Sequence, residues 1–330
     1  MKIVIDSAIP FIKGVFEPYA SVQYIAGDSF TPHAIEGADG LIIRTRTRCN
    51  NSLLEGCSVR HIATATIGTD HIDSHFCSEQ GITTSSAAGC NARAVLQWFG
   101  AVMAHLSRTQ GWEPSSKKLG VVGVGNVGGL VAAYGAAWGF EVICCDPPRM
   151  EAEGGDFVSL EELLEAADIV TLHTPLNSST RHMIGAQSLA KAGRDTIIIN
   201  SSRGEVVDTE ALLKASNPFV MDVWEREPAI NSEALRRVLL ATPHIAGYSL
   251  QGKANATTMA VRGVAKALGL PLEGWRSDAP QSTPRPISWN DLLQSIDSKF
   301  DIAAQSNHLK AHVEEFEKLR NEYDYRIEYF

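Results

Sequence analysis

Strand-length apolar runs recur along the chain up to residue 246, separated by stretches with helical spacing or turn residues. Lys2–Asp6, Gly40–Arg44 and Arg60–Thr64 read as three strands with helical stretches between them. Alternation of that kind predicts a small parallel α/β unit over residues 1–91. A long helix opens near Gly89, with Asn91 placed to cap it, and runs to about Arg108. A richer series follows: Leu119–Val122, Val142–Asp146, Asp168–His173, Thr196–Asn200, Pro218–Asp222 and Val238–Thr242, predicting a second α/β unit over residues 92–246. Within it, Pro147 and Pro148 predict a break, and Ser159 followed by Glu161 and Glu162 predicts a capped helix through Ala167. Small residues at helical spacing from Gln251 to Leu268 predict a helix, and residues 247–268 are assigned to the first unit. The last part, residues 269–330, reads as a Pro- and Gly-rich linker followed by a small C-terminal unit. One amphipathic helix is predicted there over His308–Arg320, with Leu309, Val313, Phe316 and Leu319 on one side. So few residues make a poor independent core, so this tail is expected to pack on the body or on a second subunit.

The junction after Leu119–Val122 carries the first chemical signal. Gly123, Gly125 and Gly128 have the spacing G-x-G-x-x-G between an apolar run and a helical pattern, and Asp146 closes the next apolar run. Each part has a physical role in holding a dinucleotide. Gly123 turns the chain out of the strand. Gly125 lets backbone amides approach a pyrophosphate, with Asn126 and Val127 opening the helix whose N-terminus favours anions. Gly128 permits close packing of the helix. Asp146 can accept hydrogen bonds from ribose hydroxyls and repels a 2′-phosphate, which favours NAD over NADP, although Arg149 lies close by. The fold class is therefore α/β: a Rossmann-type dinucleotide-binding domain plus a smaller, flavodoxin-like α/β domain for the substrate.

Later strands deliver polar residues at their carboxyl ends, where ligands bind in parallel sheets. Arg203, Glu227 and His244 follow three of them. Oxidising an alcohol by hydride loss needs a base for the hydroxyl proton, and imidazole titrates in the right range. A carboxylate on its other ring nitrogen orients it and favours its protonated form. An arginine grips a substrate carboxylate through two parallel hydrogen bonds. Alone, His244 after a proline reads as a turn residue, Arg203 as a helix-start residue and Glu227 as a surface acid; their shared position makes them a set. In the first unit, Arg44, Arg46 and Arg48 would share one face of an extended segment, with Thr45 and Thr47 on the other. Their functional reading is an anion site, with Arg44 and Arg46 as candidates for a substrate phosphate, and a solvated loop is the simpler reading for at least two of the three. His71, Asp73 and His75 have metal-like spacing, but Asp70 and Asp73 bracket a helix start, so capping is preferred and no metal is expected.

Composition narrows the classes. The 330 residues imply more than one domain. A net charge of −9 gives nucleic-acid binding no electrostatic support. Six cysteines without a C-x-x-C pair read as reduced thiols of a cytoplasmic protein, and neither a signal peptide nor a membrane span is expected.

The stretches Gly123–Gly128, Asn200–Gly204, Asp222–Pro228 and Thr242–Gly247 resemble the D-isomer-specific 2-hydroxyacid dehydrogenases. The resemblance covers most of residues 1–260 and is weaker beyond. It implies that Arg203 binds the substrate's carboxylate region, that Glu227 pairs with His244, and that His244 is the acid–base. It implies NAD contacts at Asp146, Thr174, Ser201, Ser202, Asp222 and Gly247, beside the glycine loop. Thr45, Thr66 and Tyr248 match substrate-contact positions, with a small phosphorylated 2-hydroxy acid as the implied substrate. The C-terminal segment resembles a dimerisation domain, so a homodimer is implied. Other D-2-hydroxyacid substrates and an NAD-sensing regulatory protein are the alternative readings.

Overall fold

Five parallel strands make the sheet of the first unit: β1 (Lys2–Asp6), β2 (Ser21–Ile25), β3 (Gly40–Ile43), β4 (His61–Thr64) and β5 (Thr83–Ser86). Their order is β2-β1-β3-β4-β5, the doubly wound flavodoxin-like arrangement. The computed structural model describes residues 1–279 and 284–330, so part of the expected linker, Pro280–Thr283, lies outside the described residues. The central strands β1, β3 and β4 are almost wholly buried apolar runs, as the sequence suggests. The edge strands β2 and β5 escaped that reading. They are short and polar, and an edge needs only one buried face.

The connections also differ from expectation. Residues 7–20 and 26–39 form turns rather than helices, because Pro10, Gly14 and Pro18 interrupt the first and Gly27, Pro32 and Gly37 the second. Only short helices occur between strands of this unit, Asn51–Leu54 and Ser74–Glu79. The second is capped by Asp73, whose side chain accepts from the Phe76 amide. One face of the sheet is covered instead by the helix Leu250–Leu268, whose Ala260, Val261, Val264, Ala265 and Leu268 pack with Ile3, Ile5, Ile42 and Ala63.

His61 is buried on β4 between Thr83 and Ser85 hydroxyls, at 2.7 and 2.9 Å from its two ring nitrogens, and burial pushes its pKa down to about 4. The folded form thus resists protonation that the unfolded chain accepts. Stability should be level above pH ~6.5 and fall progressively down to about pH 4, by up to about 3 kcal/mol. Denaturation midpoints measured across this range should show that fall, and His61→Gln should make it shallower without removing it, because burial also pushes the pKa of His173 down to about 3. Equal slopes for the two proteins would remove His61 as the cause.

The second unit holds a six-stranded parallel sheet: β6 (Lys118–Val122), β7 (Glu141–Cys145), β8 (Ile169–Leu172), β9 (Ile197–Asn200), β10 (Phe219–Met221) and β11 (Leu240–Ala241). The order is β11-β10-β9-β8-β6-β7. It reverses at β6, which pairs with both β7 and β8, so the loop after β6 sits at a topological switch point. The long helix of this unit spans Ala92–Gln110 and is almost wholly buried. Asn91 does not supply the expected cap: its Oδ1 is buried with no hydrogen-bond partner. Pro147 and Pro148 begin a helix, Pro147–Glu153, rather than a break, since the first turn needs no proline N–H. Ser159 caps its helix as expected, and Glu162 reaches back to complete a capping box.

The C-terminal stretch is not a separate unit. Residues up to 279 group with the first unit, where Leu270 and Leu272 join its core. Residues 284–330 group with the second. There Trp289, Leu292, Ile296, Phe300 and Phe330 complete an apolar cluster with Phe99, Trp138 and Phe140. The tail is short of apolar area on its own, and the faces of the dinucleotide-binding unit supply it. The single helix expected over His308–Arg320 is three pieces: Ile302–Ala311, a 3-10 turn at Val313–Glu315, and Phe316–Asn321. The kink falls at His312, and Leu309 and Phe316 on either side are fully buried in a second apolar cluster of this unit, with Leu235 and Val238.

Candidate active site

The loop after β6 is built around two close approaches. Gly123 adopts φ +84°, and a Cβ there would lie 2.8 Å from the His173 carbonyl oxygen. At Gly128 a Cβ would overlap the Gly123 carbonyl oxygen and lie 3.3 Å from Val121 on β6. The helix Asn126–Trp138 is thereby held against its own entry turn as well as against the strand. Gly125, at the N-cap, is exposed, and a Cβ there would meet nothing within 4 Å. That open space beside the amides of Asn126 and Val127 is what a pyrophosphate requires.

Asp146 closes the loop from β7. Its Oδ2 accepts from the Val124 amide at 2.7 Å and its Oδ1 from the Arg149 amide at 3.1 Å. Two carboxylate oxygens can still accept further hydrogen bonds from a ribose. Arg149 is tied to Glu153 at 2.6 Å and to the Val124 carbonyl at 2.8 Å, so its charge is already balanced. Asp146 is thus left with spare acceptor capacity at the carboxyl end of β7, beside an arginine held by other partners, an arrangement that suits NAD. Elsewhere on the sheet's carboxyl edge, Ser201 has a buried hydroxyl without a partner. Thr174 is half-buried against Met183, and Ser202 donates to Asn200 Oδ1 at 2.8 Å. An uncommitted buried hydroxyl and an open glycine cradle both fit a dinucleotide.

The turn after β11 carries His244. Its backbone has φ +58°, a conformation that side chains with a Cβ rarely adopt. Asp222, 1 % exposed, holds the turn in that shape. Its carbonyl accepts from the His244 amide at 2.8 Å. Its carboxylate accepts from Thr242 Oγ1 at 2.6 Å, from the Ile245 amide at 2.8 Å and from the Ala246 amide at 3.0 Å. Burial raises the Asp222 pKa, against the pull of His244 and these donors. Asp222 thus shapes the turn that carries His244, and its Oδ2, which takes only the Ala246 amide, keeps acceptor capacity. Gly247, which ends the turn, is half-exposed.

His244 Nδ1 lies 2.8 Å from Glu227 Oε2. Glu227 Oε1 accepts from the Trp224 amide at 2.9 Å, which fixes the carboxylate. Burial works against ionisation of Glu227, but His244, the Trp224 amide and Arg320 outweigh it and hold its pKa below the ordinary value. With Nδ1 occupied, Nε2 is the nitrogen left for proton exchange. Arg203 sits on the loop after β9, where Nη1 donates to the Ser202 carbonyl at 2.8 Å and Asn200 Nδ2 donates to the Arg203 carbonyl at 2.8 Å. Tyr248 accepts from Arg320 Nε at 3.2 Å and packs edge-on against Tyr323 and Tyr325.

In the first unit, the segment after β3 is a turn and not an extended strand: the Thr47 amide donates to the Arg44 carbonyl at 3.1 Å. The three arginines therefore do not line one face. Arg44 pairs with the fully buried Asp6 at 2.9 Å, and Thr47 is buried against the Gly27 carbonyl. Thr45 is exposed at the tip. After β4, Thr66 shares a 2.6 Å hydrogen bond with Thr64, which lies 3.2 Å from His71 Nε2. Among the described residues no cluster of three or more potential metal ligands occurs, and no helix is long and apolar enough to cross a membrane. The residues that sequence reasoning missed are Thr242, which bridges Asp222 and Trp98 Nε1, and Arg320. No local signal ties Arg320, in a charged helical pattern, to a glutamate after β10.

A family model described as D-isomer specific 2-hydroxyacid dehydrogenase, NAD binding domain, matches residues 91–246. The erythronate-4-phosphate dehydrogenase of Bacteroides thetaiotaomicron is 42 % identical over 99 % of this chain and 97 % of its own. That of Ectopseudomonas mendocina is 44 % identical over 92 % of this chain and 80 % of its own. Among solved structures, the Aquifex aeolicus D-lactate dehydrogenase with NAD and lactic acid shares the fold, with a TM-score of 0.68 at 23 % identity, covering 84 % of this chain and 99 % of that one. The NAD-bound 3-phosphoglycerate dehydrogenase of Entamoeba histolytica gives a TM-score of 0.67 at 25 % identity, over 82 % and 93 %. The chain belongs to the D-isomer specific 2-hydroxyacid dehydrogenases, NAD-dependent oxidoreductases acting on CH–OH groups, and within them to the family of erythronate-4-phosphate dehydrogenases.

Proposed function

We propose that this chain oxidises 4-phospho-D-erythronate to (R)-3-hydroxy-2-oxo-4-phosphooxybutanoate, a step of pyridoxal 5′-phosphate synthesis. The observation that carries this reading is the His244–Glu227 pair at 2.8 Å, in a chain 42 % identical over nearly its full length to an erythronate-4-phosphate dehydrogenase. Arg203 binds the C1 carboxylate and fixes the C2 carbon. His244 Nε2, neutral at the start, takes the C2 hydroxyl proton. Glu227 holds the ring through Nδ1 and stabilises the imidazolium that forms. NAD, when bound, supplies the hydride acceptor. Gly123, Gly125, Asn126, Val127, Gly128, Asp146, Thr174, Ser201, Ser202, Asp222 and Gly247 line its place, Asp222 also supporting the turn that carries His244. Thr45, Thr66 and Tyr248 contact the substrate. Arg44 is a poor choice for the phosphate, since Asp6 already balances it. The working form in this reading is a cytoplasmic homodimer.

The test is NADH formation from 4-phosphoerythronate, alongside lactate, glycerate and 3-phosphoglycerate, with NADP as the alternative acceptor. The expected result is the highest kcat/KM for 4-phosphoerythronate with NAD. Preference for another acid would overturn the substrate, and nucleotide binding without turnover of any acid would overturn the enzymatic reading.

A further inference from the structure

The C-terminal segment reaches the His244–Glu227 pair. Arg320, from the helix Phe316–Asn321, places Nη1 3.6 Å from Glu227 Oε2, the same oxygen that meets His244 Nδ1. Its Nε donates to Tyr248 OH at 3.2 Å. The guanidinium is largely buried; burial acts against its charge, but the Tyr248 phenol and the Glu227 and Glu317 carboxylates outweigh this and raise its pKa. The segment is anchored at both ends. Phe316 is buried in the core of the unit. Arg326 donates to the carbonyls of Ile245, Ala246 and Ala94 and lies over the Phe300 ring. It thus grips the same turn that holds His244.

We infer that Arg320 is a positioning residue for the reaction, set on Glu227 to cancel part of its charge and so favour the neutral His244 from which oxidation starts. Alone, a carboxylate on Nδ1 stabilises imidazolium, which suits reduction of the keto acid and opposes oxidation. A second, fixed positive charge on that carboxylate shifts the balance back. The other charged groups acting here are Asp222, buried beneath the turn and acting on His244, and Arg326 on the turn carbonyls. Glu317 acts on Arg320 from its own helix. None of these places a positive charge on the shared oxygen, whereas Arg320 does.

This inference rests on the acid–base assignment proposed above, and its test separates the two. The His244 ring is titrated by NMR in the NAD-bound protein, with His244→Gln identifying its signal, in wild type, Arg320→Gln and Arg320→Lys. The expected result is a midpoint raised by about one pH unit in Arg320→Gln, the size of a partly screened unit charge a few ångströms away. Arg320→Lys should stay near wild type. The pH limb of the oxidative kcat/KM, measured with whichever 2-hydroxy acid is turned over, should move upward by the same amount in Arg320→Gln. An unchanged or lowered midpoint in Arg320→Gln, or an equal shift in Arg320→Lys, would overturn the inference. A shifted ring midpoint with no matching shift of the rate limb would leave Arg320 tuning the pair and remove His244 as the acid–base.

Discussion

Replacing His244 by alanine is expected to lower turnover by about 10²–10⁴-fold, the usual worth of positioned acid–base help, while NAD affinity stays nearly unchanged. The two effects separate because the imidazole and the glycine loop are held by different parts of the sheet. His244 stands on the turn after β11 and is fixed by Glu227 and by the backbone contacts to Asp222. The loop after β6 is fixed by Asp146 and by its own glycines. Alanine lacks the ring and suits a backbone φ of +58° less well than histidine, but the Asp222 hydrogen bonds hold the turn, so it should survive the change. Stopped-flow measurement of the first turnover, with NAD binding followed by fluorescence or calorimetry, checks both halves. Near-wild-type turnover would refute the acid–base role. A large loss of NAD affinity would mean that the His244 ring itself also holds the cofactor.

Gly128→Ala should damage cofactor binding and stability together. The new methyl would overlap the Gly123 carbonyl oxygen and lie 2.9 Å from its carbon. Neither partner can give way cheaply. The Gly123 amide is hydrogen-bonded to Cys145 at 2.8 Å and the next amide, of Val124, to Asp146 at 2.7 Å, so the turn is tied to β7. The helix must therefore move away from the turn. Overpacking of this kind costs about 1–3 kcal/mol, and the displaced helix start should weaken NAD binding by roughly tenfold or more. Gly125→Ala is the informative control. Its methyl meets no protein atom within 4 Å, so the free protein should keep its stability while NAD affinity falls. Calorimetric titration and thermal unfolding of both variants check this. Wild-type affinity in Gly128→Ala would show that the loop is more adjustable than its contacts suggest. A stability loss in Gly125→Ala would show that the exposed cradle is part of the core.

The legibility of this chain follows the kind of interaction involved. The buried runs of β1, β3, β4, β6 and of β8 to β10 were visible because strands covered on both faces must be continuously apolar, and the edge strand β7 because its Val142–Cys145 run is itself apolar. The glycine loop and Asp146 were visible because a turn, a close approach and a charge each demand a particular residue type at a particular spacing. The set Arg203, Glu227 and His244 could be singled out because parallel strands deliver their following loops to one edge. These are local or periodic constraints, and a sequence determines them by itself. Edge strands β2 and β5 were not visible, since half-buried short strands carry no such run. The hydrogen bonds from the His244 turn to Asp222, the pairing of Arg44 with Asp6, and the arrival of Arg320 at Glu227 join residues far apart in the chain. A buried carboxylate looks the same in sequence whether it faces a ligand, a backbone amide or an arginine. Only the tertiary structure decides which donor reaches it, because that choice is made by packing of whole elements rather than by the neighbours of one residue.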